Sequence, residues 1–300
     1  MTRQPLLSLE RYEIDHLKFG RDFHDHVLTA WGKGQVKPDI LWRMQRRSAS
    51  LGFAVNMHAR IAHARSAAAN LESLMRKEPK LAFFSIDMVS RDHIVALSDA
   101  VGFDVKQVKR WTRRQLPGVN FLGGVDAALY YAGQLLPGRT PPFISWHAHV
   151  IAWGVTEEHL LDLQVETNAN FAAGWEGAKA FHFRALRHEE VVGRAMYAIK
   201  APMSEYSLSV DEPIDHDTGE VGDPLFIQKK RELRPHRRIQ IAEVLDERLM
   251  SDVLFAGGSG KAIRGAILSD TWWLLLGEQS RNRLQRRNVL GLASDISPWF

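Results

Sequence analysis

Two histidines separated by one residue, His147 and His149, lie in the segment FISWHAHVIAWG. Its short apolar run, rich in aromatic and β-branched residues, reads as a strand. Alternate side chains of a strand share a face, so both imidazoles stand on one side, about 7 Å apart along the chain. Two imidazoles so placed can converge on one cation. Ala148, Val150 and Ala152 point the other way and can enter a core. An isolated pair of this kind suits a solvated strand face equally well. The chain's other such pair, His24-Asp25-His26, lies in a polar, helix-like segment without apolar flanks and reads as surface.

Further along, VVGRAMYAIKAP holds Tyr197 and Lys200. On a helix they occupy one face, a turn apart. A tyrosine can attack a phosphodiester, but a phenol with an ordinary pKa of about 10 needs a cation or a polarised phosphate beside it. Taken alone, an amphipathic helix with a packed tyrosine and an exposed lysine is the plainer reading. A third segment, LAFFSID, sets Ser85 and Asp87 two apart among apolar neighbours and says little by itself. The chain has no cysteine, which removes disulfides, thiolate zinc sites and thiol nucleophiles; a metal must be held by histidine, carboxylate or carbonyl groups.

The elements that must position these groups follow from periodicity and breakers. Residues 40–78 read as helix, closed by Pro79, and Leu81–Met88 as a buried strand. Asp104 caps a helix running to Gln115, with Gln107 placed to reach back, and Pro117-Gly118 stops it. Strands over 120–131 and 143–153, joined by a Gly- and Pro-rich loop, suggest an antiparallel pair. A helix over 156–172 with Thr156 as cap, a strand over 178–187 and a helix over 188–201 come next. Residues 211–224 are acidic and full of breakers, QKKRELRPHRR after them is basic, and short helices fill the rest. The order implies an α+β fold: a central antiparallel sheet with flanking helices plus helical additions at both ends. The division is a helical extension over 1–75, a catalytic domain over 76–210, and an acidic loop with a basic, mainly helical region over 211–300.

The order of the three motifs, Ser/Asp strand, His-hydrophobic-His strand and Tyr-x-x-Lys helix, resembles the HUH endonucleases. The likeness over residues 80–205 is to rolling-circle replication initiators with one nucleophilic tyrosine. It implies that His147 and His149 hold a divalent cation, Mg2+ or Mn2+, oxygen ligands suiting the first and imidazoles shifting preference to the second. It implies that Tyr197 attacks the scissile phosphorus and keeps the 5′ end as a phosphotyrosine, and that Lys200 stabilises phosphate or phenolate charge. Tyr206 lies beyond Pro202 and is expected to be structural. The family's third ligand is often a carboxylate on the strand paired with the histidine strand. Asp126 falls there if strands 120–131 and 143–153 pair through their loop, while a one-residue slip would turn it to the other face. Glu189 and Glu190 are the reserve candidates, equally explained as acids at a helix N-terminus.

Lys106, Lys109, Arg110, Arg113 and Arg114 recur at i, i+3, i+4, i+7 and i+8, a basic stripe expected to track DNA phosphates. Lys229, Lys230, Arg231, Arg234, Arg237 and Arg238 form a second basic cluster, and Arg281, Arg283, Arg286 and Arg287 a third. The expected partners are single-stranded or origin DNA with a host helicase and polymerase. GGSGK at 257–261 evokes a phosphate loop, but Phe255 stands where its first glycine belongs and Ala262 where Ser or Thr belongs, so no nucleotide cofactor is expected. Charges where a signal peptide needs apolar residues, and no run of about 20 apolar residues, point to the cytoplasm and away from a membrane. Competing readings are a transposase or relaxase of the same superfamily, a histidine-metal hydrolase, and a basic DNA-binding regulator without catalysis.

Overall fold

The computed structural model describes residues 7–45, 52–133, 142–175, 178–211 and 225–289. The connecting loop 134–141, the acidic stretch 212–224, and the side chains of Arg281, Arg283, Arg286 and Arg287 lie outside the described residues.

The chain is α+β. Helices α1 (Leu9–Gly32), α2 (Pro38–Met44) and α3 (Met57–Lys77) precede strand β1 (Phe83–Ala96). Helix α4 (Lys106–Gln115) leads to β2 (Asn120–Gly133) and β3 (Phe143–Trp153). Then come α5 (Glu157–Asn170), β4 (Phe181–Leu186), α6 (His188–Ala198), β5 (Ser204–Asp211) and β6 (Leu225–Glu232). Helices α7 (Pro235–Leu245) and α8 (Met250–Val253), strand β7 (Leu254–Gly257) and helix α9 (Gly260–Val289) follow.

The seven strands form one sheet in the order β4-β1-β3-β2-β5-β6, with β7 also pairing β2. It is mixed rather than wholly antiparallel, because β5 runs parallel to β2. Strands β5, β6 and β7 are additions to the expected set. β6 reads LFIQKKRE and closes one end of the sheet, where charges blunt an edge and mask strand character. β7, LFAG, is only four residues long.

Other boundaries move for local reasons. The expected helix over 40–78 is two helices; α3 begins afresh where the Asn56 side chain accepts the His58 and Ala59 N–H groups. β1 continues past Met88, with a register shift between Val89 and Ile94. The Asp104 carboxylate accepts the Lys106 N–H at 2.9 Å, but α4 starts later than expected, with Val105 at its N-cap. The C-terminal region contains the 30-residue α9 in place of short helices.

Helices cover both faces of the sheet. Phe84, Ile86 and Met88 of β1 share a face with Trp146, Ala148 and Val150 of β3, and pack with Val108 and Trp111 of α4 and Leu160 of α5. The opposite face carries Phe83, Leu122, Ile151 and Trp153, packed with Leu71 of α3, Val191 and Met196 of α6 and Ile267 of α9. Tyr12 of α1 joins this second core, so the N-terminal helices are built onto the same sheet. No helix among the described residues is long and apolar enough to cross a membrane.

Candidate metal centre

The β2–β3 ladder places Asp126 opposite His147 and Gly124 opposite His149. β1 lies on the other side of β3 and places Asp87 opposite His149. Three adjacent strands therefore deliver Asp87, His147, His149 and Asp126 to one patch of the sheet.

Each imidazole has its Nδ1 engaged. His147 Nδ1 lies 3.0 Å from the Ser145 carbonyl and His149 Nδ1 lies 2.5 Å from Asp87 Oδ1. Both acceptors need a proton on Nδ1, which leaves a lone pair on each Nε2. Those two Nε2 atoms face each other at 3.0 Å. Asp126 Oδ2 lies 3.9 Å from the first and 3.7 Å from the second. Two lone pairs and a carboxylate directed at one point repel unless something positive joins them. A cation about 2.1 Å from all three atoms fits the triangle they form, the distance divalent ions keep from nitrogen and oxygen ligands. The three residues are the cluster of metal-ligand type found among the described residues.

The local charges agree with this geometry. Burial alone would raise the Asp126 carboxyl, but the Lys200 ammonium and the two imidazoles outweigh it and hold the group well below its ordinary value. Burial, then the neighbouring His149, push His147 down to about 4. Burial also works against charging His149, yet Asp126 and Asp87 prevail and raise it. In the absence of a cation, the proton the pair can hold belongs to His149.

Tyr197 lies against this group. Its ring centroid is 4.9 Å from that of His149, with the planes steeply tilted. Gly124 makes the approach possible, because a Cβ there would sit 1.9 Å from the Ala198 carbonyl oxygen. Only a residue without a side chain lets the end of α6 close onto β2 beside the histidine strand.

Lys200 is not on the helix as expected. α6 ends at Ala198 with Ile199 as its C-cap, and Lys200 belongs to the segment after it. It nevertheless ion-pairs with Asp126 and sets its Nζ 4.5 Å from the Tyr197 ring centroid. The segment is held from below. Arg60 donates to the Ile199 and Lys200 carbonyls, the Tyr12 hydroxyl donates to Ile199, and the Ala201 N–H donates to His16 Nε2.

Sequence reasoning leaves five neighbours unassigned. Asp87 orients His149, and its alternation with Ser85 in an apolar strand is the signal that could have marked it. Arg194 lies one turn before Tyr197, with its guanidinium carbon 5.6 Å from the ring centroid. Arg60, Tyr12 and His16 come from segments far away in the chain and carry no local signal. Tyr206 stands nearer the centre than its structural role implied. It lines a small cavity with Asp126 and Lys200, and burial first, then Asp126, raise its hydroxyl to about 12.

The remaining candidates lie elsewhere. α4 packs on the opposite face of the sheet, so its basic stripe is not brought to this site. Nor is the stripe continuous. Lys109 is buried and donates to the Asp252 carbonyl at 2.5 Å, and Arg113 donates to the Ala256 carbonyl at 3.1 Å. Arg110 lies 3.7 Å from Asp104, while Lys106 and Arg114 are exposed. Glu190 accepts from the Arg187 N–H and pairs with Arg184, and Glu189 pairs with Arg187. Both acids serve the start of α6. The Ser259 N–H of the GGSGK turn donates to the Asn120 side chain, so this would-be phosphate donor is already satisfied. No family model, curated protein or solved structure matches this chain.

Proposed function

We propose that this protein is a metal-dependent, single-tyrosine DNA strand-nicking and joining enzyme of the rolling-circle initiator kind, its sheet acting as the palm of an HUH fold. The observation that carries the reading is the Tyr197 ring packed 4.9 Å from His149 beside the Asp126–His147–His149 triangle. A His-carboxylate set alone would suit many hydrolases. A phenol beside it, with a lysine 4.5 Å from the ring, suits attack on a phosphodiester.

The three ligand side chains would hold Mg2+ or Mn2+, which when bound supplies Lewis-acid polarisation of a phosphoryl oxygen. Asp87 keeps His149 in the tautomer that offers Nε2. Lys200, paired with Asp126, stays an ammonium; it serves as fixed positive charge for the phenolate and phosphate rather than as a base. The Tyr197 hydroxyl gives up its proton as its oxygen forms the new bond to phosphorus, the bond from phosphorus to the 3′ oxygen breaks, and that oxygen takes up a proton to become the 3′ hydroxyl. The tyrosyl ester takes the place of the ester that breaks, so the reverse attack by a 3′ hydroxyl rejoins ends.

The test is incubation of a pool of single-stranded oligodeoxynucleotides with the protein and Mn2+, read on a denaturing gel. A covalent adduct that requires the metal and disappears in Tyr197→Phe supports the proposal. Metal-dependent cleavage without an adduct would transfer the site to a hydrolase, and binding without cleavage would leave a regulator.

A further inference from the structure

A cavity of about 130 Å³ opens beside the metal centre, lined by Asp126, Lys200, Tyr206 and Lys230 among others. The ladders explain why these groups meet. Tyr206 of β5 is paired with Tyr130 of β2 on one side and with Lys230 of β6 on the other. Tyr130 and Asp126 are alternate residues of one strand and share its face. Lys230 therefore looks to the same side of the sheet as the metal ligands.

Its neighbours in the basic run do not. Arg231 turns to the other face, stacks on the Tyr131 ring at 3.9 Å and pairs with buried Glu205 at 2.5 Å. Lys229 alternates with Lys230 in the same way. Arg234 also pairs with Glu205, at 2.7 Å. Of this charged stretch, Lys230 is the group presented to the cavity.

Lys200, paired with Asp126, and Lys230, an exposed residue, thus line one small space. Asp126 is already engaged by Lys200, and no carboxylate lies within ion-pair distance of Lys230 among the described residues. Against these two lysines the cavity holds one carboxylate, Asp126, which leaves one positive charge over among the described residues. The volume equals that of about four waters, room for one phosphate group. We propose that this cavity binds a backbone phosphate of the substrate strand, adjacent to the one attacked by Tyr197, with Lys200 and Lys230 as counter-charges and the Tyr206 hydroxyl as donor. The strand then leaves the centre over the β5–β6 edge and not along α4. This rests on the strand-nicking reading.

The test uses the full chain carrying Tyr197→Phe, so that binding is read without cleavage. Single-stranded oligodeoxynucleotides carry one neutral methylphosphonate at successive positions, and affinity is followed by fluorescence anisotropy against salt. Lys230→Ala is expected to weaken the unmodified strand about five- to tenfold and to lower the log–log salt slope by about 0.7, the loss of one single-strand phosphate contact. One methylphosphonate position should reproduce that loss and add nothing to Lys230→Ala, while Lys229→Ala should show no such coupling. An unchanged affinity, or a Lys230→Ala loss that adds equally to every methylphosphonate, would overturn the subsite. Adduct formation is scored separately on the chain with both Tyr197 and Lys230 intact. An adduct without coupling rejects the subsite and spares the nicking reading; coupling without an adduct under any condition does the reverse.

Discussion

Asp126 and His147 face each other across the β2–β3 ladder, and Asp126 Oδ2 lies 3.9 Å from His147 Nε2. The same oxygen receives the Lys200 ammonium, so one carboxylate ties the candidate metal triangle to the lysine beside Tyr197.

Asp126→Asn should therefore have two effects. Mn2+ binding, followed by calorimetric titration, should fall below detection, as it should in His149→Ala. The substitution also leaves Lys200 part-buried without its counter-charge, a loss of about 3–5 kcal/mol in urea unfolding of the metal-free protein. Retention of tight Mn2+ binding in Asp126→Asn would remove this carboxylate from the ligand set.

Asp87→Asn tests orientation rather than ligation. Asp87 touches His149 Nδ1 and not the triangle itself. Loss of such a partner typically weakens metal affinity 10- to 100-fold. Mn2+ affinity should fall within that range with the urea midpoint little changed. An unaltered affinity would mean that His149 holds its tautomer without help.

Gly124→Ala asks whether the closeness of α6 to β2 is needed. The added methyl would meet the Ala198 carbonyl at 1.9 Å, so α6 must move outward. A destabilisation of about 2 kcal/mol or more is expected, with adduct formation falling further than folding stability explains. A variant as stable and as active as the parent would show that the helix has room to spare.

Stability should also depend on pH through buried histidines outside the candidate ligand set. Burial pushes His16 down to about 3 and both His63 and His93 to about 4. All three are neutral in the fold, whereas the unfolded chain takes up their protons below about pH 6.5. Their contribution is complete above that pH and is lost as pH falls toward 4, at about 1.4 kcal/mol per unit for each histidine. Urea midpoints that stay level between pH 7 and pH 5 would contradict this.

Much of the site was legible because it is local. The His147–His149 alternation, the strand pair that brings Asp126 opposite them, and the Tyr197–Lys200 spacing are all carried by short stretches with strong periodicity. Strand register did the rest, since a buried face permits one pairing only. Lys200 lies past the helix end, where Arg60, Tyr12 and His16 hold residues 199–201, and those partners are distant in sequence. β6 was hidden by the charges that suit an edge strand, and the α4 spacing gives a helix face without saying which side of the sheet that helix covers.

The most direct test of the central claim is to digest a Mn2+-formed protein–oligonucleotide adduct with trypsin and nuclease and locate the nucleotide by mass spectrometry. The account predicts it on the peptide Ala195–Lys200, attached through Tyr197 as a 5′-phosphate ester. A nucleotide on the peptide carrying Tyr206, or strands cut in a metal-dependent way to free 5′ phosphates with no modified peptide, would contradict it.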